Sequence, residues 1–339
     1  MNSFYQDIHQ QPEALRQLVT HYRAAGASLD GLAKPGRVLL TGMGASFHAA
    51  LWASYVLQAQ GVWAIAVEAS DLLYFSGILL QDVDKIIFIS QSGASAEVLP
   101  VVELLPASIE LIGITNDMDS PLAQQADVVL PLVAGNETTV ATKTYLNSMA
   151  CLWLLCQTWR HGSREDDYQS LLRLADVAAQ LLGSAEETST YWIEQLSQVN
   201  QLYFLGHGPH ITTARQAAMM LGEWAKRPAI GTSIGAFRHG PIEVVAPGTG
   251  AVVLGVKGIT DTSTENLASD LRSYGATVIP VIEGRTVQRI QAQETGRDFD
   301  EMLSPLLDII PAQLFSEAMA RHLGITPGFR HIHKVVQRL

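Results

Sequence analysis

The chain has 339 residues, and 22 Lys and Arg set against 33 Asp and Glu leave a net charge of −11. That balance excludes a nucleic-acid binder, which needs a basic face. A hydrophobic content of 47% and a charged content of 16% describe a well-filled core, and the length fits two domains of ordinary size.

The first residues, Met1-Asn-Ser-Phe-Tyr-Gln-Asp, lack a basic region followed by an apolar core, so no signal peptide is expected. The longest apolar run, Ala150-Cys-Leu-Trp-Leu-Leu-Cys156, is too short for a bilayer, and no membrane association is expected. Its two cysteines, Cys151 and Cys156, read as buried thiols on one helix. Asn136-Glu-Thr138 matches a glycosylation acceptor, which without a secretion signal is a chance match. These features describe a cytoplasmic protein.

Residues 12–33 read as a leading helix, with Leu15, Leu18, Val19 and Tyr22 at helical spacing. Short β-rich runs follow at 38–41, 64–68, 85–90, 111–115 and 128–131, with helical stretches between them. Nearly continuous apolar strands alternating with helices predict an α/β fold, a doubly wound parallel sheet with helices on both faces. The charged segment 161–168 reads as an elbow and 170–182 as a linking helix. Strands then resume at 202–205, 252–256 and 277–282. The expected organisation is a helical segment 1–34, a first domain 35–165, a link 166–190, a second domain 191–322 and a tail 323–339.

Each half opens on the same device, an apolar strand, a Gly-x-Gly turn and a helix start. The first copy is Gly42-Met-Gly44-Ala-Ser46 and the second is Gly206-His-Gly208-Pro-His210. Only the first half adds a hydroxyl-rich loop, Ser90-Gln91-Ser92-Gly93-Ala94-Ser95. In a doubly wound sheet both loops sit at the carboxyl edge of the strands, where ligands bind. The helix predicted over 96–104 would present unpaired N–H groups there. Ser90, Gln91, Ser92 and Ser95 would add donors, and Gly93 would admit close approach of the backbone. A serine-rich N-cap is the plain alternative. A second loop on the same edge, the Gly42-x-Gly44-x-Ser46 turn, favours a phosphate site. A dinucleotide fingerprint is not formed, because His48-Ala49 stand near the place of the third glycine.

Three residues could carry chemistry. Glu223 lies in Met219-Met-Leu-Gly-Glu-Trp-Ala-Lys, an apolar helix where desolvation should raise its pKa; such a group can move a proton beside a carbonyl. Its alternative is a place at the helix's solvent edge. His239, in Phe237-Arg-His-Gly-Pro241, sits on a tight loop and suits proton transfer near neutrality, or is a turn histidine. Lys334 lies in a tail that is either a frayed basic terminus or, given Ile332, Val335 and Val336, an ordered cover for the site. His331 and His333 are too weak a pattern to assign a metal.

Together these segments resemble the tandem sugar-isomerase (SIS) domain proteins over nearly the whole chain. That family includes the isomerase half of glucosamine-6-phosphate synthase, a class of glucosamine-6-phosphate deaminases and the fructosamine-6-phosphate deglycases. The matching motifs are Thr41-Gly-Met-Gly-Ala-Ser46, Ile89-Ser-Gln-Ser-Gly93, Val140-Ala-Thr-Lys-Thr-Tyr145, Phe204-Leu-Gly-His-Gly208, Phe237-Arg-His-Gly-Pro241 and Lys334, five residues from the end. The resemblance implies two flavodoxin-like domains in tandem and a small-molecule sugar phosphate as ligand. It places Gly44, Ser46, Ser90, Gln91, Ser92, Ser95 and Thr142 around the substrate and its phosphate. It makes Glu223 the enediol-forming base and His239 the ring-opening group, the latter in a site shared across a homodimer. It brings Lys334 to the open-chain sugar, by contact or as an imine, and it implies no cofactor.

Departures bear on the reaction. Met220 stands where the synthase has a Lys, one turn before the Glu. No glutaminase half is present, with Asn2 where its Cys would start, so glutamine-dependent synthesis is not expected. The 140–143 segment is one residue closer to Glu137 than in the synthase. The expected activity is isomerisation of a 6-phosphorylated amino sugar, with or without ammonia release. A deglycase acting on sugar-phosphate amines is the runner-up, and a non-catalytic sugar-phosphate sensor is the reading from another class.

Overall fold

Strands β1 (Arg37–Gly42), β2 (Trp63–Glu68), β3 (Lys85–Ile89), β4 (Glu110–Thr115) and β5 (Val128–Pro131) form one sheet in the order β2-β1-β3-β4-β5, with every pairing parallel. The computed structural model describes residues 2–24, 27–255, 258–282, 285–286, 301–326, 328–331 and 334–336. The strand order is that of a flavodoxin-like doubly wound sheet, with its switch point between β1 and β3. Val38, Leu39, Leu40 and residues 86–89 are fully buried, as strands covered on both faces must be. Each such side chain contributes about 1.5–3 kcal/mol on leaving water.

A second sheet repeats the plan. Its strands are β6 (Gln201–Gly206), β7 (Ile230–Ser233), β8 (Thr249–Gly255), β9 (Thr277–Ile282) and β10 (Arg285–Thr286), ordered β10-β9-β8-β6-β7. All its pairings are parallel except β9 with β10. The chain divides into two compact units. One comprises Gln10–Ala175 with Arg330–Leu339 and holds β1–β5; the other comprises Met1–His9 with Asp176–Phe329 and holds β6–β10. Among the described residues, no helix is long and apolar enough to cross a membrane.

Several elements differ from their sequence signals. The leading helix runs over Ser3–Ala24, with Pro12 inside it, and a short helix, Ala27–Asp30, follows. An interior proline costs about 3 kcal/mol. Phe4, Ile8, Leu15, Leu18 and Val19 are fully buried at helical spacing and offset that cost. Asn2 caps this helix, its Oδ1 accepting the Tyr5 N–H at 2.9 Å. Of the charged run 161–168, residues 162–164 turn the chain between the helices Lys143–His161 and Glu165–Gly183, and Glu165, Asp166 and Asp167 start the second, as acidic residues favour a helix N-terminus. The half-exposed edge strand β7 and the two-residue β10 carry no alternating pattern and were not expected. Val256 of the strand predicted over 252–256, and Ile332 and His333 of the tail, lie outside the described residues. Cys151 and Cys156 are buried free thiols, as expected; burial pushes Cys151 up to about 12, although the Tyr22 hydroxyl at 3.3 Å opposes the rise.

The repeated Gly-x-Gly device is a packing requirement. A Cβ on Gly42 would lie 2.7 Å from Ile89 O and 2.9 Å from Ser46 Cβ; one on Gly206 would lie 2.6 Å from His210 O. In both halves the first glycine lets the following helix pack onto the end of its own strand. Gly42→Ala and Gly206→Ala should therefore each destabilise the protein by roughly 1–3 kcal/mol through backbone displacement. Chemical denaturation of the purified variants checks this, and an unchanged midpoint would refute it.

Candidate functional site

β1 ends at Gly42, and the chain turns through Gly44 (φ 53°, ψ −123°) into the helix Ala45–Ala59, whose second residue is Ser46. β3 leads into the 90–95 loop on the same edge. Ser90 is buried, its N–H donating to Ile114 O at 3.0 Å and its carbonyl accepting the Gly93 N–H at 3.0 Å. The Gln91 carbonyl accepts the Asn116 N–H at 3.0 Å, and Ser92 Oγ accepts the Ala94 N–H at 3.2 Å. The loop is thus fixed by its backbone, while Ser46, Gln91, Ser92 and Ser95 are half-buried at the strand edge.

Two expectations about this loop change. Gly93 (φ 60°) is required by packing: a Cβ there would lie 2.0 Å from Ser120 Oγ, whose hydroxyl caps the helix Pro121–Gln125. The helix expected over 96–104 spans only Val98–Leu104, and the Ala96 N–H is not an open donor. It donates to the carbonyl of Val336, in the C-terminal tail, at 3.0 Å. The tail docks directly after the serine loop.

A third segment joins them. Asn116, following β4, holds the loop after β5 with both ends of its amide: Oδ1 accepts the Ala134 N–H at 2.9 Å and Nδ2 donates to Gly135 O at 2.8 Å. That loop delivers Glu137, whose side chain is fully buried. Its Oε1 accepts the Thr142 N–H at 2.9 Å, the Thr142 hydroxyl at 2.7 Å and the Thr144 N–H at 3.3 Å. Its Oε2 accepts the Thr144 hydroxyl at 2.5 Å and Lys334 Nζ at 3.1 Å. Lys334 Nζ also donates to Thr139 O. Thr142 therefore directs its hydroxyl hydrogen at Glu137, and Lys143 Nζ donates to Gln10 Oε1 and Asn136 O. Burial raises the Glu137 carboxyl, but Lys334 and the donors of Thr144 and Thr142 outweigh it and hold the group below its ordinary value. Glu137 carried no separate sequence signal; it lies in the very tripeptide that reads as a chance glycosylation acceptor.

Glu223 and His239 belong to the β6–β10 unit. Glu223 is half-buried in the last turn of the helix His210–Ala225. This helix packs on β7, where a Cβ on Gly231 would lie 2.3 Å from Ala214 O. One turn before Glu223, Met220 is fully buried. The helix ends at Lys226 in the left-handed conformation, its Nζ donating to the Glu223 carbonyl and to Gly328 O. β7 runs on into the short helix Ile234–Arg238, capped by Ser233 Oγ, and His239 follows it, exposed, before Gly240 at φ 149°. The unpredicted strand β7 thus fixes both residues, as packing surface for one and lead-in for the other. His210, at the place of Ser46 in the duplicated turn, is buried: its Nε2 lies 2.9 Å from Ser304 Oγ and 3.2 Å from Asp308 Oδ2.

The Glu137 cluster has a pH signature. A carboxyl held below its unfolded value contributes stability that is complete above that value and is lost as pH falls through the folded one. Glu137→Gln should cost on the order of 3 kcal/mol near neutrality by breaking a buried charge network. Its deficit relative to wild type should narrow as pH falls below 4.5. Denaturant midpoints at pH 7 and across the acid range check this; a deficit that stays constant would refute it.

Comparison with known proteins agrees with this architecture. The SIS domain profile matches residues 31–157 and again residues 195–320. The chain is 27% identical over 327 residues to glutamine–fructose-6-phosphate aminotransferase [isomerizing] of Methanothermobacter thermautotrophicus, covering 95% of this chain and 55% of that protein. It is 28% identical over 335 residues to the protein of the same name from Pyrococcus horikoshii, covering 95% and 54%. The chain thus spans about half the length of these curated relatives. Among solved structures, tagatose-6-phosphate ketose/aldose isomerase from Escherichia coli superposes with a TM-score of 0.82 at 22% identity, covering 98% of this chain and 96% of that one. Glucosamine-6-phosphate deaminase from Thermotoga maritima superposes with a TM-score of 0.79 at 24% identity, covering 99% of each. Two profile matches that together span most of the sequence, on two sheets of one plan, make this chain a member of the SIS domain family that carries the domain twice.

Proposed function

We propose that this protein is a phosphosugar isomerase acting on a 6-phosphorylated, amino-substituted sugar. The observation that carries the reading is the pair of loops at the switch point of the first sheet. Ser46 follows a turn that only glycine can make, and the 90–95 loop is held rigid from behind while Gln91, Ser92 and Ser95 remain at the edge. Rigid hydroxyl and amide donors on such an edge suit a phosphate without a permanent cation. The names of the similar proteins, with fructose-6-phosphate, glucosamine-6-phosphate and tagatose-6-phosphate in them, share that phosphoryl position.

In this reading the phosphate anchors the sugar and Glu223 carries a proton between C1 and C2. That proton transfer makes the enediol common to aldose–ketose exchange. His239 protonates the ring oxygen during opening, and its exposed place on its own unit suits service to a site in a second copy of the chain. Lys334 contacts the open-chain sugar from the docked tail. Deamination would add hydrolysis to the same proton transfer: shifting the proton from C2 to C1 of a 2-amino aldose leaves an imine at C2, and water adds there to give the ketose and ammonia. The deglycase reading rests on the Gly235-Ala-Phe-Arg-His-Gly-Pro-Ile-Glu243 stretch, which is similar to those enzymes, and on Met220, which puts no charge one turn before Glu223.

Incubation with glucosamine-6-phosphate, fructose-6-phosphate and fructoselysine-6-phosphate, reading ammonia and ketose, is expected to give turnover with one of them. Glu223→Gln should keep phosphosugar affinity within a few-fold and lower kcat by about 10²–10⁴. Tight binding of a phosphosugar with no turnover by wild type would instead support a sensor. Sedimentation should give a homodimer. Mixing inactive Glu223→Gln with inactive His239→Ala protein should restore part of the activity, whereas a fully active monomer would refute the shared site.

A further inference from the structure

The tail meets the β1–β5 unit at two places. Lys334 Nζ donates to the buried Glu137 carboxylate at 3.1 Å and to the Thr139 carbonyl; two residues on, the Val336 carbonyl accepts the N–H of Ala96, the residue after Ser95. The carboxylate is a built receptor. Four donors from Thr142 and Thr144 orient it within the core, and these are neutral, so they satisfy its lone pairs without balancing its charge. A buried carboxylate left unbalanced is strongly unfavourable, which makes the lysine and the tail that carries it the natural complement. The amine in turn directs two of its three hydrogens at oxygens of the 137–139 segment, so its position is set by that segment and not by a flexible stem.

We propose that Glu137 is a positioning residue: it seats Lys334, and through Lys334 it holds the C-terminal tail against the serine loop. Thr142 and Thr144 serve the same task by fixing the carboxylate, which gives the 140–145 motif a role at one remove from the ligand. The seat stands on the unliganded geometry, and its bearing on substrate rests on the phosphosugar reading.

Hydrogen exchange on the full-length, unliganded protein tests the seat. The Ala96 amide is the reporter, because its acceptor lies in the tail. Lys334→Met should speed its exchange roughly ten-fold or more, while amides of β1 and β3 keep theirs. Glu137→Gln should do the same, and the double variant should be no faster than either single one, as for two members of one contact. Lys334→Arg should restore most of the protection. With the phosphosugar that turns over, Glu137→Gln should raise KM, and Lys334→Met, which also removes the sugar contact, should raise it at least as much; a purely structural Glu137 would lower the melting temperature and leave KM unchanged. Unchanged Ala96 protection in folded Lys334→Met, or additive effects in the double variant, would overturn the proposal. Lys334 is partly exposed, so its variant decides the matter even if Glu137→Gln fails to fold. The exchange arm needs no ligand, and so it stands or falls separately from the phosphosugar reading.

Discussion

A carboxylate buried in the first unit ties together three segments at the carboxyl edge of the first sheet. Glu137 is fully buried, and a charge so placed persists only when donors surround it and a cation balances it. The donors come from Thr142 and Thr144, at the start of the helix Lys143–His161, and the cation from Lys334, nearly two hundred residues away. One ionised group therefore meets the loop after β5, the start of the helix Lys143–His161 and the C-terminal tail. Asn116 extends the same scaffold, bonding both the 134–135 backbone and the Gln91 carbonyl behind the serine loop.

The duplication has a physical basis for its asymmetry. Gly42 and Gly206 meet the same demand, close approach of a helix to the end of its strand, so both turns are scaffold. The fourth residue on decides what the turn can do. In the first copy it is Ser46, half-buried at the edge; in the second it is His210, sealed in the core against Ser304 and Asp308. A side chain held by buried partners is not offered to a ligand. The second half carries Glu223 and His239 on either side of β7.

Several polar groups among the described residues immobilise other groups. Ser120 occupies the space a side chain at position 93 would need; Ser233 caps the turn before His239; Arg227 donates to the carbonyls of Ser197 and Val199. Each bond is worth only about a kilocalorie per mole, but a site needs its donors held within a fraction of an ångström, and such bonds supply that rigidity.

The sequence by itself determined the strands β1 to β5, because runs such as residues 85–90 are apolar without interruption and bounded by turn residues. It determined the duplicated turn, since glycine is required there by sterics, and it marked the serine loop, Glu223, His239 and Lys334 through motifs that keep their spacing. The edge strand β7 was not legible: Ile230-Gly-Thr-Ser has no period, and its place is set by the helix that packs on Gly231. The start of the leading helix was hidden by Pro12, whose local cost is overridden by burial of Phe4 and Ile8. Only the tertiary structure revealed Glu137 as a hub and Ala96 as the tail's partner. Both depend on residues some two hundred or more positions apart, and a local pattern carries no information about a charge balanced from so far away.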